Sequence, residues 1–169
     1  MDASTFLALA LACAPQVHAN TAHALVTVES AVNPWAIGVV GGALQRQPRH
    51  RTEAIATAEA LQAAGRNFSV GLGQINVGNF SRLGLSLSTA FEPCTNLAAM
   101  QAVLTECFDR AQRKPPRAST DQAALRAALS CYYSGNFSTG FRHGYVGKVV
   151  AAARNPIRIS PPNPVKEPS

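Results

Sequence analysis

Acidic residues are scarce in this chain. Nine Asp and Glu stand against fifteen Lys and Arg among 169 residues, a formal net charge of +6. The cations are scattered rather than blocked, so the charge suits any polyanion and selects none. Basic and aromatic positions do not cluster together, which sets nucleic-acid binding aside. Charged residues of both signs total only 14%, against 47% hydrophobic. That balance fills a core and excludes disorder throughout the chain. No apolar run approaches the roughly 20 residues that a membrane-spanning helix needs, so no transmembrane segment is expected. There is no C-x-x-C pair, and His18, His23, His50 and His143 lack ligand spacing. No zinc site is therefore expected.

What is present suits one domain with a tail. Five of the eleven prolines fall between Pro156 and Pro168. We expect a folded domain over 1–153 and a Pro-rich disordered tail over 154–169, a candidate docking segment for a partner. Four cysteines, Cys13, Cys94, Cys107 and Cys131, fit two disulfides and an oxidising compartment, with buried free thiols as the alternative. On a continuous helix, Cys94 and Cys107 would be roughly 18 Å apart, too far to bridge. The expected pairing is Cys13–Cys94 with Cys107–Cys131, the crossed alternatives staying open. Phe6 to Ala12 is apolar, but no basic residue precedes it and Asp2 has the wrong sign for a secretion signal. The stretch reads as a first helix ending near Cys13, and no export signal is evident.

Asn20 or Thr21 can cap a helix running to about Ser30. Thr52 can cap another that ends before Gly65. Asn96 to Ala111 and a segment capped by Ser119 or Thr120 carry helical stripes, and a last helix is expected over Ser138 to Ala153. Residues 36–51 read as irregular or short β, and residues 68–79 as a Gly-rich, amide-rich loop. That loop lacks the Lys and Ser/Thr of a phosphate loop. Arg46, Arg49 and Arg51 read as solvated surface. The total is mainly α (α+β), with five or six helices and a small β element.

Glu29 is the informative residue. Ala22, Leu25, Val26 and Glu29 fall on one helical face, so its carboxyl sits in line with an apolar stripe. Lost hydration there raises the pKa, and a carboxyl protonated near neutrality can act as a general acid. By spacing alone, a glutamate that simply flanks the core or caps a neighbour's backbone is the favoured reading. Glu53 and Glu59 fall off the inward face of their helix and look solvated. No acid at all occurs between Gly65 and Ser81. A glycosidase drawing a second carboxylate from that loop is therefore disfavoured.

Three segments add to this reading: Glu29-Ser30-Ala31-Val32-Asn33-Pro34-Trp35-Ala36, then Gly71-Leu72-Gly73-Gln74-Ile75-Asn76, then Cys131-Tyr132-Tyr133-Ser134-Gly135-Asn136. In this order they resemble the signatures of the soluble lytic transglycosylases, a family of lysozyme-like fold. The family pattern is E-S-x-x-N-P-x-A, then G-L-M-Q, then a Tyr-Asn-x-Gly turn. The likeness spans about residues 6–150 and is nearest the small transglycosylases of type IV secretion and conjugation systems. It implies a peptidoglycan lytic transglycosylase that cleaves the MurNAc–GlcNAc β-1,4 bond with formation of 1,6-anhydro-MurNAc.

Carried over by position, Glu29 matches the single catalytic acid and Ser30 the residue beside it. Gln74 matches the glutamine facing the sugar, and Tyr132 the tyrosine close to the acid. Asn76, Tyr133 and Asn136 complete the candidate substrate-binding set. Two departures stand out: Gly73 where Met is common, and Tyr133 where Asn is common. The resemblance implies glycan strands as substrate, secretion components as partners of the tail, a periplasmic monomer, and no metal or other cofactor. The rival readings are a hydrolytic muramidase and a non-catalytic wall-binding assembly factor.

Overall fold

In the computed structural model the protein is described over residues 1–114 and 120–155. The Pro-rich segment expected over 154–169 lies, from residue 156 on, outside the described residues. The described elements run in order. Helix α1 (Ala3–Cys13) leads into α2 (Ala19–Ser30), β1 (Ile37–Val39) and α3 (Arg51–Ala63). Strands β2 (Phe68–Val70) and β3 (Ile75–Asn76) follow, then a 3-10 turn (Val77–Asn79) and short helices α4 (Phe80–Leu83) and α5 (Leu87–Ala90). Helices α6 (Pro93–Arg113), α7 (Asp121–Ser134), α8 (Thr139–Arg142) and α9 (Tyr145–Ala153) complete the fold.

The fold is mainly α with one small antiparallel sheet in the order β1-β2-β3. Helix α6 is its spine. Pro93 opens it, where a missing N–H costs nothing. Leu97, Met100, Leu104, Cys107 and Ala111 make its buried stripe, and Arg110 and Arg113 complement the dipole of its last turn. It packs against α1, α5, α7 and β3, while α2 packs against α9. Phe6, Leu25, Phe68, Leu72, Phe91 and Met100 meet in one core with no exposed surface. Each such side chain contributes about 1.5–3 kcal/mol by leaving water.

The disulfides are Cys13–Cys94, with Cα atoms 5.2 Å apart, and Cys107–Cys131, at 5.7 Å. The first ties α1 to the start of α6 and the second ties α6 to α7.

Several local expectations are corrected. Helix α2 starts earlier than Asn20: His18 is its N-cap, and the ring Nδ1 accepts from the Asn20 N–H. His50, not Thr52, caps α3 in the same way, through the Glu53 N–H. Histidine imidazole thus supplies the acceptor that Ser, Thr, Asn or Asp usually provides. The Gly-rich segment 68–79 is not a plain loop, because β2 and β3 lie in it. The last helix is two, split where Gly144 adopts φ +73°. Arg46 and Arg49 are exposed, as expected of a solvated surface, and with Arg51 they are ion-paired there. Glu53 bonds the Arg46 guanidinium and the Arg49 N–H, and Arg51 pairs with Glu92 at 2.7 Å. These pairs hold Glu53 well below its ordinary pKa, first through Arg46.

Candidate active site

Strand pairing builds one wall of the site. Ile37, Val70 and Ile75 align across the sheet, as do Gly38, Ser69 and Asn76. Because side chains alternate between faces, the first row enters the core and the second faces a cleft of about 650 Å³. The Asn76 amide donates to Asn67 Oδ1 at 2.7 Å and to Ser69 Oγ at 3.3 Å, and its own Oδ1 accepts from the Gly78 N–H. Gln47 backs the sheet edge: its amide bonds both the N–H and the C=O of Ile37, at 2.8 and 2.9 Å. It thereby stands in for a missing strand.

Glu29 enters the same cleft from the last turn of α2. Immediately after Ser30 the chain takes two left-handed residues, Ala31 at φ +52° and Val32 at φ +60°. For a β-branched residue this is costly, by about 1–3 kcal/mol, and Val32 is three residues after the acid. The turn stops the helix and redirects the chain through Asn33, whose Oδ1 accepts from the Trp35 N–H at 2.9 Å. Trp35 packs partly against the core.

Burial pushes the Glu29 carboxyl up to about 7, against the opposing pull of a hydrogen bond donated by the Tyr145 hydroxyl. Among the described residues, Glu29 is the one carboxylate lining this cleft. Tyr132 closes the other side. Its hydroxyl donates to the Gly73 carbonyl, and burial, then the Glu29 charge, push its pKa well above the ordinary range. Tyr145 is raised by the same two causes in the same order. Both phenols therefore remain neutral donors across physiological pH. Tyr133 stacks on Tyr145 with ring centroids 4.6 Å apart, and its hydroxyl shares a 3.3 Å hydrogen bond with His143 Nδ1.

Gln74 sits at φ +49° in the turn between β2 and β3. Its Nε2 donates to the carbonyls of Ala36 at 3.1 Å and Gly71 at 3.0 Å. Its Oε1 occupies space left by Gly38, where a Cβ would come within 2.7 Å. The turn is fixed from behind by Asn96, which is 1% exposed. The Asn96 amide donates to the Val70 and Ala90 carbonyls at 3.0 and 2.8 Å, while its Oδ1 accepts from the Gly73 N–H at 2.7 Å. One side chain thus satisfies three buried backbone groups.

Five of the residues singled out by sequence line this cleft together: Glu29, Gln74, Asn76, Tyr132 and Tyr133. Ser30 and Asn136 do not. The Ser30 hydroxyl turns inward to the Val26 carbonyl at 3.1 Å. Asn136 Oδ1 is taken up by the N–H groups of Ser138 and Thr139, where it shapes the turn into α8. Sequence reasoning missed Tyr145, Asn96 and Gln47. The available signal for Asn96 was a polar residue on the stripe of α6; for Tyr145, a tyrosine opening an apolar helix, whose hydroxyl needs a partner.

Gly73 departs from the common pattern for a packing reason. A Cβ there would lie 2.9 Å from Met100 Cβ and 3.0 Å from the Tyr132 hydroxyl. Met100, fully buried on α6, occupies the space instead.

Comparison with known proteins agrees with this arrangement. Residues 6–153 match the family model described as Transglycosylase SLT domain. The type IV secretion system protein virB1 of Brucella suis biovar 1 (strain 1330) is 49% identical over 164 residues, spanning 92% of this chain and 68% of the relative. Protein virB1 of Agrobacterium tumefaciens (strain 15955) is 36% identical over 166 residues, 96% of this chain and 67% of the relative. No solved structure matches the chain. A family match across nearly the whole described domain, around a half-buried glutamate, makes this chain a member of the SLT transglycosylase family and a lytic transglycosylase.

Proposed function

We propose that the chain cleaves the MurNAc–GlcNAc β-1,4 bond of peptidoglycan without water, with Glu29 as its single catalytic acid and base. The observation that carries this reading is the cleft chemistry: Glu29, the one carboxylate among the described lining residues, holds its proton up to about pH 7. A hydrolase of the usual kind needs a second carboxylate about 5–9.5 Å from the first.

Protonated Glu29 gives its proton to the glycosidic oxygen as the C1–O bond breaks. The substrate's own N-acetyl group assists the positive charge at C1. The Glu29 carboxylate then takes the proton of the C6 hydroxyl, and O6 closes on C1 to form the 1,6-anhydro ring. Glu29 ends protonated, as it began, and no water is consumed. Its half-buried position serves both steps, because a pKa near the working pH lets one group act as acid and then as base. Tyr145 holds one carboxylate oxygen, leaving the other for the proton transfers. The row of Gly38, Ser69 and Asn76 gives the sugar a small, polar ledge, and Tyr132 and Tyr133 complete the opposite side. The names of the virB1 relatives support a place beside a type IV secretion apparatus. The two disulfides support work in the oxidising periplasm.

The test is mass spectrometry of purified peptidoglycan after incubation with wild type and with Glu29→Gln. Products ending in 1,6-anhydro-MurNAc, absent with the variant, establish the reaction and its acid. Reducing ends would mean hydrolysis. Intact glycan with both proteins, where a control enzyme cuts, would mean a wall-binding assembly factor.

A further inference from the structure

The cleft does not end at Tyr132. Tyr132, Asn79 and Val103 also line a neighbouring depression, which in turn shares Arg110 and Gly135 with a third. The three adjoin one another in that order, leading outward from Glu29. One face of α6 runs along them: Val103, Cys107 and Arg110 recur at intervals of four and three residues, and Lys114, the C-cap of the helix, follows four residues on. At 1.5 Å per residue, Val103 to Lys114 covers about 16 Å. The character of the lining changes along that length. It is neutral beside Glu29, balanced in the middle where Arg82 pairs with Glu106 at 2.8 Å, and basic at the outer end.

That end is lined by Arg110, Arg113, Lys114, Asn136 and Phe137. Arg113 faces Asp109 at 3.6 Å. Arg110 and Lys114 have no carboxylate partner among the described residues; both lie over the Phe137 ring, 5.5 and 5.2 Å from its centroid. Arg110 Nη1 also reaches the sulfur of Cys131, 3.5 Å away, in the disulfide joining α6 to α7. Two cations held on an aromatic face, beside a cross-linked helix pair, lose less side-chain freedom when they bind an anion.

We propose that this outer end is an anion subsite, in which Arg110 and Lys114 bind carboxylates of the peptide carried by the glycan strand. The proposal rests on the glycan reading of the cleft. Glycan backbone hydroxyls and N-acetyl groups are neutral, whereas the wall's peptides carry free carboxylates on alternate sugars. A lining that turns from neutral to basic with distance from the acid matches a neutral strand bearing anionic branches.

The test is a binding titration that needs no turnover. The Glu29→Gln protein is titrated with a soluble peptide-bearing glycan fragment, and with the same fragment after enzymatic removal of the peptide and amidation of the lactyl carboxylates that the removal exposes. The measurements are repeated with Arg110→Gln/Lys114→Gln added, and with Arg126→Gln/Lys148→Gln as a charge-matched control on exposed sites elsewhere. The peptide-bearing fragment should bind on the order of 10-fold tighter or more, as charge-assisted bonds do. Added salt should erode that advantage. Arg110→Gln/Lys114→Gln should abolish it, and the control should keep it. Equal affinity for the two fragments, or an advantage that survives Arg110→Gln/Lys114→Gln, overturns the subsite. The transglycosylase reading fails separately, if wild type releases no anhydro products while the peptide-dependent contrast in binding persists.

Discussion

The Tyr145 hydroxyl donates a hydrogen bond to Glu29 Oε1 across 116 residues of sequence. It joins the start of α9 to the end of α2, two helices that pack directly against each other. Burial raises the Glu29 pKa and this bond restrains it, so the acid's working range is set jointly by a core and by one phenol.

Removing the phenol should shift that range in a known direction. Tyr145→Phe deletes a donor that favours the charged carboxylate, so the Glu29 pKa should rise further. The falling alkaline limb of kcat/KM for anhydro-product release should move to higher pH. Turnover at the optimum should drop about 10-fold as the carboxyl loses its orientation. A profile with an unmoved limb would disconnect Tyr145 from the acid.

The same shift links pH to stability. Glu29 is raised from 4.5 to about 7, so between those values the native state binds a proton that the unfolded chain has released. Stability from this group is fully present below pH 4.5 and is lost as pH rises through 7. At 1.36 kcal/mol per unit, 2.5 units amount to about 3 kcal/mol at most. Glu29→Gln should therefore exceed wild type in stability by up to about 3 kcal/mol at pH 8.5 and match it near pH 4. Urea titrations at both pH values check this.

Asn96 should prove more important to the fold than its polarity suggests. Asn96→Ala leaves the Val70 and Ala90 carbonyls and the Gly73 N–H without their partner. Unsatisfied buried groups cost about 1–3 kcal/mol each, so a loss of about 3 kcal/mol or more is expected in urea unfolding. Gln74 and Tyr132 both depend on the turn Asn96 holds, so anhydro-product release should also fall.

Gly73 and Met100 should behave as a pair. Gly73→Met alone drives a side chain into Met100 and the Tyr132 hydroxyl, with an overpacking cost of about 1–3 kcal/mol. Adding Met100→Ala opens the space, and the combined variant should recover part of that loss. A double-mutant cycle should give a coupling of about 0.5–3 kcal/mol; strict additivity would show that the two do not share the site.

The disulfides should differ in weight. Cys13–Cys94 closes 81 residues and Cys107–Cys131 closes 24. Loop-closure entropy then assigns about 4.5 and about 3.5 kcal/mol. Thermal melts of the Ala-substituted pairs should rank them in that order, with the fully reduced protein below both.

Short-range repetition is legible in the order of residues alone. The stripes of α2, α6 and α7 are visible because a helix brings every third or fourth residue to one face, and Glu29 was recognisable as a carboxyl in such a stripe. The order of the three motifs, with no acid between Gly65 and Ser81, points to one-carboxylate chemistry. Strand segments of two or three residues, such as Phe68–Val70 and Ile75–Asn76, are too short to show an alternation, so residues 68–79 read as a loop, whereas β1 falls within 36–51, read as irregular or short β. The helix caps at His18 and His50 used a side chain that propensity does not favour.

Which groups meet is set by how the elements pack. Tyr132 finds the Gly73 carbonyl 59 residues away, and Asn96 reaches back 23 residues to the Gly73 N–H. The raised Glu29 pKa is likewise a property of assembled walls, because desolvation depends on what several distant elements place around the carboxyl. Periodicity states which way a side chain points relative to its own helix. What it then touches depends on how the helices pack, and that is fixed by the whole core at once.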